Sequence, residues 1–163
     1  MIDLGKLNIP RSLWDEVGKP LPETLQKNIV KVQDQLRSAQ IIFVCGNESP
    51  LRDTVLAKLA VAYAKRGKIV RFYSPLDLEE FDVKLSAFIN VLSNTDVLQK
   101  RATDVLKVLM MDKVIKGGVL IIGCRSVKTF SDKYGDEIVS YFSSNAVSIE
   151  VVSERKPIPV YKV

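Results

Sequence analysis

A chain of 163 residues suits one domain, and a domain of this size buries roughly 70% of its unfolded surface, enough for a true core. Lys and Arg outnumber Asp and Glu by 24 to 19, and the resulting charge of +5 is spread along the chain, so it permits a nucleic-acid or acidic-protein partner without pointing to one. The absence of histidine removes the usual general base at neutral pH and the commonest zinc ligand, no apolar run reaches the ~20 residues of a membrane span, and MIDLGKLNIPRS lacks a signal-peptide apolar region; a cytoplasmic protein is expected.

In chain order, a short arm, IDLGKLNIP, leads to Ser12, placed to cap a one-turn helix with Asp15 in capping-box spacing and with Trp14 and Val17 as its apolar contacts. Pro22 fits the first turn of a longer helix whose Leu25, Ile29, Val32 and Leu36 recur at helical spacing. Residues 41–45, IIFVC, read as a strand. Val55, Leu56, Leu59, Ala60 and Tyr63 form the buried stripe of the following helix, which Gly67 closes. KIVRFY reads as a second strand, LDLEEF as a helical turn, and Leu85, Phe88, Ile89 and Leu92 as another helix ending near Ser93 and Asn94, with NTDVLQ as a very short strand. A helix over 102–116 uses Ala102, Val105, Leu106, Leu109 and Ile115 and stops at Gly117 and Gly118. VLIIG, 119–123, is apolar on both faces, as a central parallel strand is. Two short helices, 126–135 and 136–142, precede a last strand, 146–152, and Pro157 and Pro159 confine the tail.

Strands alternating with helices imply a single α/β domain with a mainly parallel central sheet: an arm and helices over 1–40, a core over 41–152 and a tail over 153–163. The strands at 41–45, 69–73, 119–123 and 146–152 should share that sheet, the first flanked by the last two. Cys45 and Cys124 lack metal-ligand spacing and would then lie side by side as buried free thiols of a reducing compartment.

The chain turns on IIFVCGNESPLRDT, a strand, a polar loop and a helix start. A phosphate-binding loop in this setting reads Gly-x-x-x-x-Gly-Lys-[Ser/Thr], because backbone N–H groups and a lysine wrap a phosphate at a helix N-terminus. Counted from Gly46, the second glycine falls on Leu51, the lysine on Arg52 and the hydroxyl on Asp53; with one extra residue Thr54 supplies the hydroxyl and Asp53 replaces the lysine. Gly46, Asn47, Glu48, Ser49, Arg52, Asp53 and Thr54 therefore form a degenerate nucleotide loop.

Several segments in order resemble the helicase-loader AAA+ ATPases, the group that contains DnaC, DnaI and IstB. LNIPRSLWD is similar to the family's entry motif, IIFVCGNESPLRDTVLAKLAVAYAKRGKIVRFYSPLDLEEF to its Walker A strand, helix, second strand and Asp-Leu, and GGVLIIGCRSVKTFSDKYGDEIVSYF to its sensor strand and helix pair. The resemblance implies a P-loop, AAA+-type three-layer core, here without a lid domain. It also implies a Walker B strand ending in two acids, whereas NTDVL runs into Gln99 and Lys100, with VLMMD, 108–112, as a formal alternative. Arg125 falls at the sensor position, and Tyr141 stands where the family carries the arginine that completes a neighbouring subunit's site.

With magnesium ligand, phosphate lysine and arginine finger all absent from the pattern, the expectation is a pseudo-ATPase that needs no cofactor. It would act by binding the replicative helicase or its loader, with protein contact through the N-terminal region and weak single-stranded DNA binding at Lys100, Arg101, Arg125 and Lys128. Arg52 and Arg125 are expected to pair with Glu48 and Asp53 as a plug in the old site. The alternatives are an active enzyme that binds ATP and magnesium with Arg52 on the phosphates, and an interaction protein unrelated to replication.

Overall fold

The computed structural model describes residues 2–21, 23, 25–27, 29–30 and 39–151. After a 3-10 turn at Arg11–Leu13 come α1 (Trp14–Val17), helical residues within 23–30, and the alternation β1 (Ile41–Cys45), α2 (Ser49–Lys65), β2 (Val70–Tyr73), α3 (Pro75–Leu78) and β3 (Ile89–Leu92). A 3-10 turn at Thr95–Val97 leads to α4 (Lys100–Ile115), β4 (Val119–Cys124), α5 (Val127–Tyr134), α6 (Asp136–Phe142) and β5 (Ala146–Glu150). The strands form one five-stranded sheet in the order β2-β3-β4-β1-β5, and every pairing is parallel.

Burial follows the two-residue period of the strands. On one face Ile42 and Val44 of β1 and Ile121 of β4 pack on Val55, Leu56, Leu59 and Ala60 of α2. On the other, Ile41, Phe43, Leu120 and Ile122 meet Leu106 and Met110 of α4, Phe130 and Tyr134 of α5, and Phe142 of α6. Covering both faces gives three layers and explains why IIFVC is apolar throughout. Gly123 of β4 lets α2 approach closely, since a Cβ there would lie 2.6 Å from Leu56 Cδ1. At the edge of the sheet, the β2 amide of Phe72 donates to Leu7 O at 2.7 Å, so the N-terminal arm covers the exposed strand.

The expected sheet members, the place of β1 between β4 and β5, and the stops at Gly67 and Gly117 (φ +81° and +84°) agree with this fold. Four expectations require correction. The helix expected at Leu85, Phe88, Ile89 and Leu92 is instead β3: Ile89, Val91 and Leu92 are buried between β2 and β4. NTDVLQ is not a strand but holds the 3-10 turn. Ser12 caps nothing, because it sits inside the first 3-10 turn, whose N-cap position is Pro10 and has no side-chain cap. In α4 the inward stripe is Ala102, Thr103, Leu106, Met110 and Val114, while Val105 and Ile115 face solvent, and VLMMD lies within that helix rather than in a strand. Pro22, Val32, Leu36, Val152 and the tail over 153–163 lie outside the described residues.

Candidate functional site

In a parallel α/β sheet the loops at the carboxyl ends of the strands carry the site. Here those loops bring Gly46 and the first turn of α2 against the end of β3. An apolar strand, INVL, runs into Ser93 and Asn94 beside this turn, whereas Gln99 and Lys100, expected at the end of a strand, belong to the start of α4. Both of these residues, Ser93 and Asn94, are neutral.

Arg52 is 4% exposed and turns inward. Its Nη1 donates to Gly46 O at 2.5 Å and its Nη2 to Asn94 Oδ1, which also accepts from Ser49 Oγ at 3.0 Å. Asp53 accepts from Ser93 Oγ at 2.7 Å and from Asn94 Nδ2 at 3.4 Å. Burial pushes the Asp53 carboxyl above its ordinary pKa, a rise moderated by the Ser93 hydroxyl and by the nearby Arg52 charge. Asn94 holds the left-handed conformation, φ +50°, that aims its amide into this cluster.

The rest of the loop is also committed to the fold. The Gly46 amide donates to Arg125 O at 3.1 Å, and a Cβ on Gly46 would lie 2.7 Å from Val151 O, so the glycine serves close packing against the chain leaving β5. Thr54 Oγ1 donates to Pro50 O at 2.9 Å, which satisfies the hydroxyl within its own helix. Asn47 and Glu48 are exposed and Ser49 is half-buried. Beside the loop an open cleft of about 670 Å³ remains between Ser12, Leu13, Glu16 and Lys19 on one side and Ser49, Leu51, Asp53 and Lys58 on the other.

The expected ion-paired plug is not what fills the site. Among the described residues Arg52 bonds to a carbonyl and an amide oxygen, and neither Arg52 nor Arg125 forms an ion pair with Glu48 or Asp53. Arg125 does sit at the end of β4, but only its backbone is engaged there: its N–H donates to Asp96 Oδ2 at 2.7 Å and its carbonyl accepts from Gly46. Its exposed side chain borders a shallow cavity with Val97, Thr129 and Lys133.

The other basic candidates are dispersed and locally partnered. Lys100 pairs with Asp104 at 3.4 Å and Lys128 with Asp132 at 3.2 Å, both exposed pairs worth little. Arg101 donates to Glu79 O at 3.3 Å and lies 5.7 Å from the centre of the Phe81 ring. Tyr141, on α6, is 49% exposed and offers a phenol in place of a guanidinium. Cys45 and Cys124 stand in register on β1 and β4 as free thiols with sulfurs 3.9 Å apart, and hydrogen bonding from Cys124 lowers the pKa of Cys45.

The strand order with its loop, helix and parallel crossovers is decisive. This is the P-loop fold of the AAA+ type. Solved structures share it: a DNA replication initiation factor (TM-score 0.66, 15% identity, covering 83% of this chain and 48% of that one) and the replication initiator DnaA bound to AMPPCP and single-stranded DNA (0.64, 15%, 90% and 51%). AMPPCP-bound DnaA from Aquifex aeolicus matches similarly (0.64, 13%, 88% and 51%). The chain thus spans about half the length of these proteins. No protein-family profile and no curated protein matches it.

The helical spacing of Leu85, Phe88, Ile89 and Leu92 masks β3, and with it the place of Ser93 and Asn94 in the site. The available signal was the run Ile89, Asn90, Val91, Leu92, four residues with two β-branched members, ending in a polar pair.

Proposed function

We propose that this protein is a non-catalytic AAA+-type module that works by binding a component of the replication machinery, the replicative helicase or its loader. One observation carries the first half of the reading: the only basic residue at the phosphate end of the loop, Arg52, is folded away from solvent and bonded to Gly46 and Asn94. Asn94 comes from the strand end where a hydrolysing relative would hold an acid and magnesium. A guanidinium committed to two protein acceptors gives no charge to a triphosphate, and Ser93 and Asn94 give none to a metal. The replication setting rests on the fold shared with DnaA and on the loader-like segments LNIPRSLWD and GGVLIIGCRSVKTF.

The cleft beside α2 favours the competing reading, an ATP-binding protein that swings Arg52 outward. Thermal unfolding with and without ATP and magnesium separates the two. The expected result is an unchanged melting temperature and no phosphate release, together with retention of the replicative helicase or loader on the immobilised protein. An ATP-dependent rise that vanishes in Arg52→Ala would overturn the non-catalytic reading, and failure to retain either replication protein would overturn the choice of partner.

A further inference from the structure

The outward face of α4 is unusual. Opposite its core stripe, Arg101, Val105, Val108, Asp112 and Ile115 recur at intervals of four, three, four and three residues, the spacing of a coiled-coil seam. Three of the five are β-branched and apolar, and they stand 38%, 68% and 67% exposed in the order Val105, Val108, Ile115. A β-branched residue on a solvated helix surface lowers helix propensity and gains no burial in return. Single exposed apolar residues are ordinary; a seam of them at this spacing is not.

The charges on the seam say what covers it. Arg101 and Asp112 lie equally far, one on each side, from the midpoint of Val105 and Val108. A second copy of α4 laid antiparallel about a two-fold axis through that midpoint sets Val105 on the second copy's Val108. Arg101 then meets the second copy's Asp112, and the symmetric ion pair forms at the other end. A parallel arrangement would instead oppose Arg101 to Arg101 and Asp112 to Asp112. Such a self-complementary patch is what a two-fold homodimer requires.

The present partners of these charges do not compete strongly. Asp112 pairs with Lys116 at 3.0 Å between side chains that are 56% and 70% exposed, and Arg101 has one long bond to Glu79 O. Phe81, 88% exposed under the Arg101 guanidinium, extends the apolar surface. In the antiparallel arrangement Ile115 of the second copy passes roughly one helical turn beyond Arg101, towards this ring.

We infer that the outward face of α4 is a homodimer interface in which two copies pack antiparallel through Val105 and Val108, flanked by Arg101–Asp112 ion pairs. The contact is small and its association therefore weak. Sedimentation equilibrium of the full chain over rising concentration should show a monomer–dimer equilibrium that weakens with added salt. Val108→Asp should weaken it at least roughly tenfold. Arg101→Asp and Asp112→Arg should each weaken it, and the double variant Arg101→Asp/Asp112→Arg should regain most of the loss, which no single-copy effect would produce. Circular dichroism melting confirms that each variant folds, as substitutions on an exposed face should. A wild type that stays monomeric at every concentration, a dimer indifferent to Val108→Asp, or a double variant as weak as the singles would each overturn the proposal.

Discussion

The two faces of the sheet's carboxyl edge differ in how their polar groups are used. On the α2 face, Arg52, Asp53, Ser93 and Asn94 bond to one another and to Gly46, and Arg52 and Ser93 are almost wholly buried. On the α5 face, Asp96 accepts from the Arg125 N–H and from Thr129 Oγ1, while the Arg125 side chain is left to solvent. Both regions lie at the carboxyl ends of parallel strands, where an α/β sheet carries its sites. The difference shows how a cation is kept inside a fold: Arg52 is given protein acceptors, because an unpaired buried charge would be costly.

The largest expected effect tests whether Arg52 is structural. Arg52→Ala removes donors to Gly46 O and Asn94 Oδ1 and should cost about 2–4 kcal/mol, since bonds to a charged group are the stronger kind and the carbonyl is left buried without a partner. Urea denaturation measures it. A variant as stable as the wild type would mean that Arg52 is not tied into the fold, and the contrast between the two faces would collapse.

A smaller effect concerns Asp53. Burial raises its folded pKa above the ordinary value of 3.8, so the native state binds the proton more tightly than the unfolded chain. Stability from this group is therefore greatest below the ordinary value and declines as pH rises through the folded pKa. Asp53→Asn should flatten that part of the stability–pH curve, read from urea midpoints at a series of pH values. An unchanged slope would show that Asp53 is better solvated than its burial beside Ser93 and Asn94 implies.

Much of this fold was legible because periodicity reports burial. IIFVC and VLIIG are apolar on both faces, and the helix after Gly46 repeats its apolar residues at helical spacing, so β1, β4 and α2 follow from the sequence. β3 was not legible for a physical reason. Leu85, Phe88, Ile89 and Leu92 satisfy a helical spacing by chance, and only pairing with β2 and β4 selects the extended form. The same misleading spacing hid the place of Ser93 and Asn94 beside the first turn of α2. In α4 the helix was clear but its face was not: Val105 and Ile115 are apolar and point outward, and nothing in the helix's own pattern says which stripe meets the sheet. Arg52 was recognised by position, yet its acceptors lie on Gly46 and on a residue 42 positions away, a pairing that only the fold creates.

The smallest expected effect falls on the other face. Arg125→Ala leaves the backbone bonds to Asp96 and Gly46 in place, because both are made by main-chain atoms of residue 125. It removes an exposed side chain, and stability should change by less than about 0.5 kcal/mol, as for other surface substitutions. If single-stranded DNA binds through Arg125, the variant should bind it more weakly and with a shallower dependence on salt, since one phosphate contact fewer releases fewer counterions. Fluorescence anisotropy with a labelled oligonucleotide across a salt series reads both quantities. A loss of stability comparable to that of Arg52→Ala would mean that the guanidinium is built into the fold after all, and the two faces would then differ in detail and not in kind.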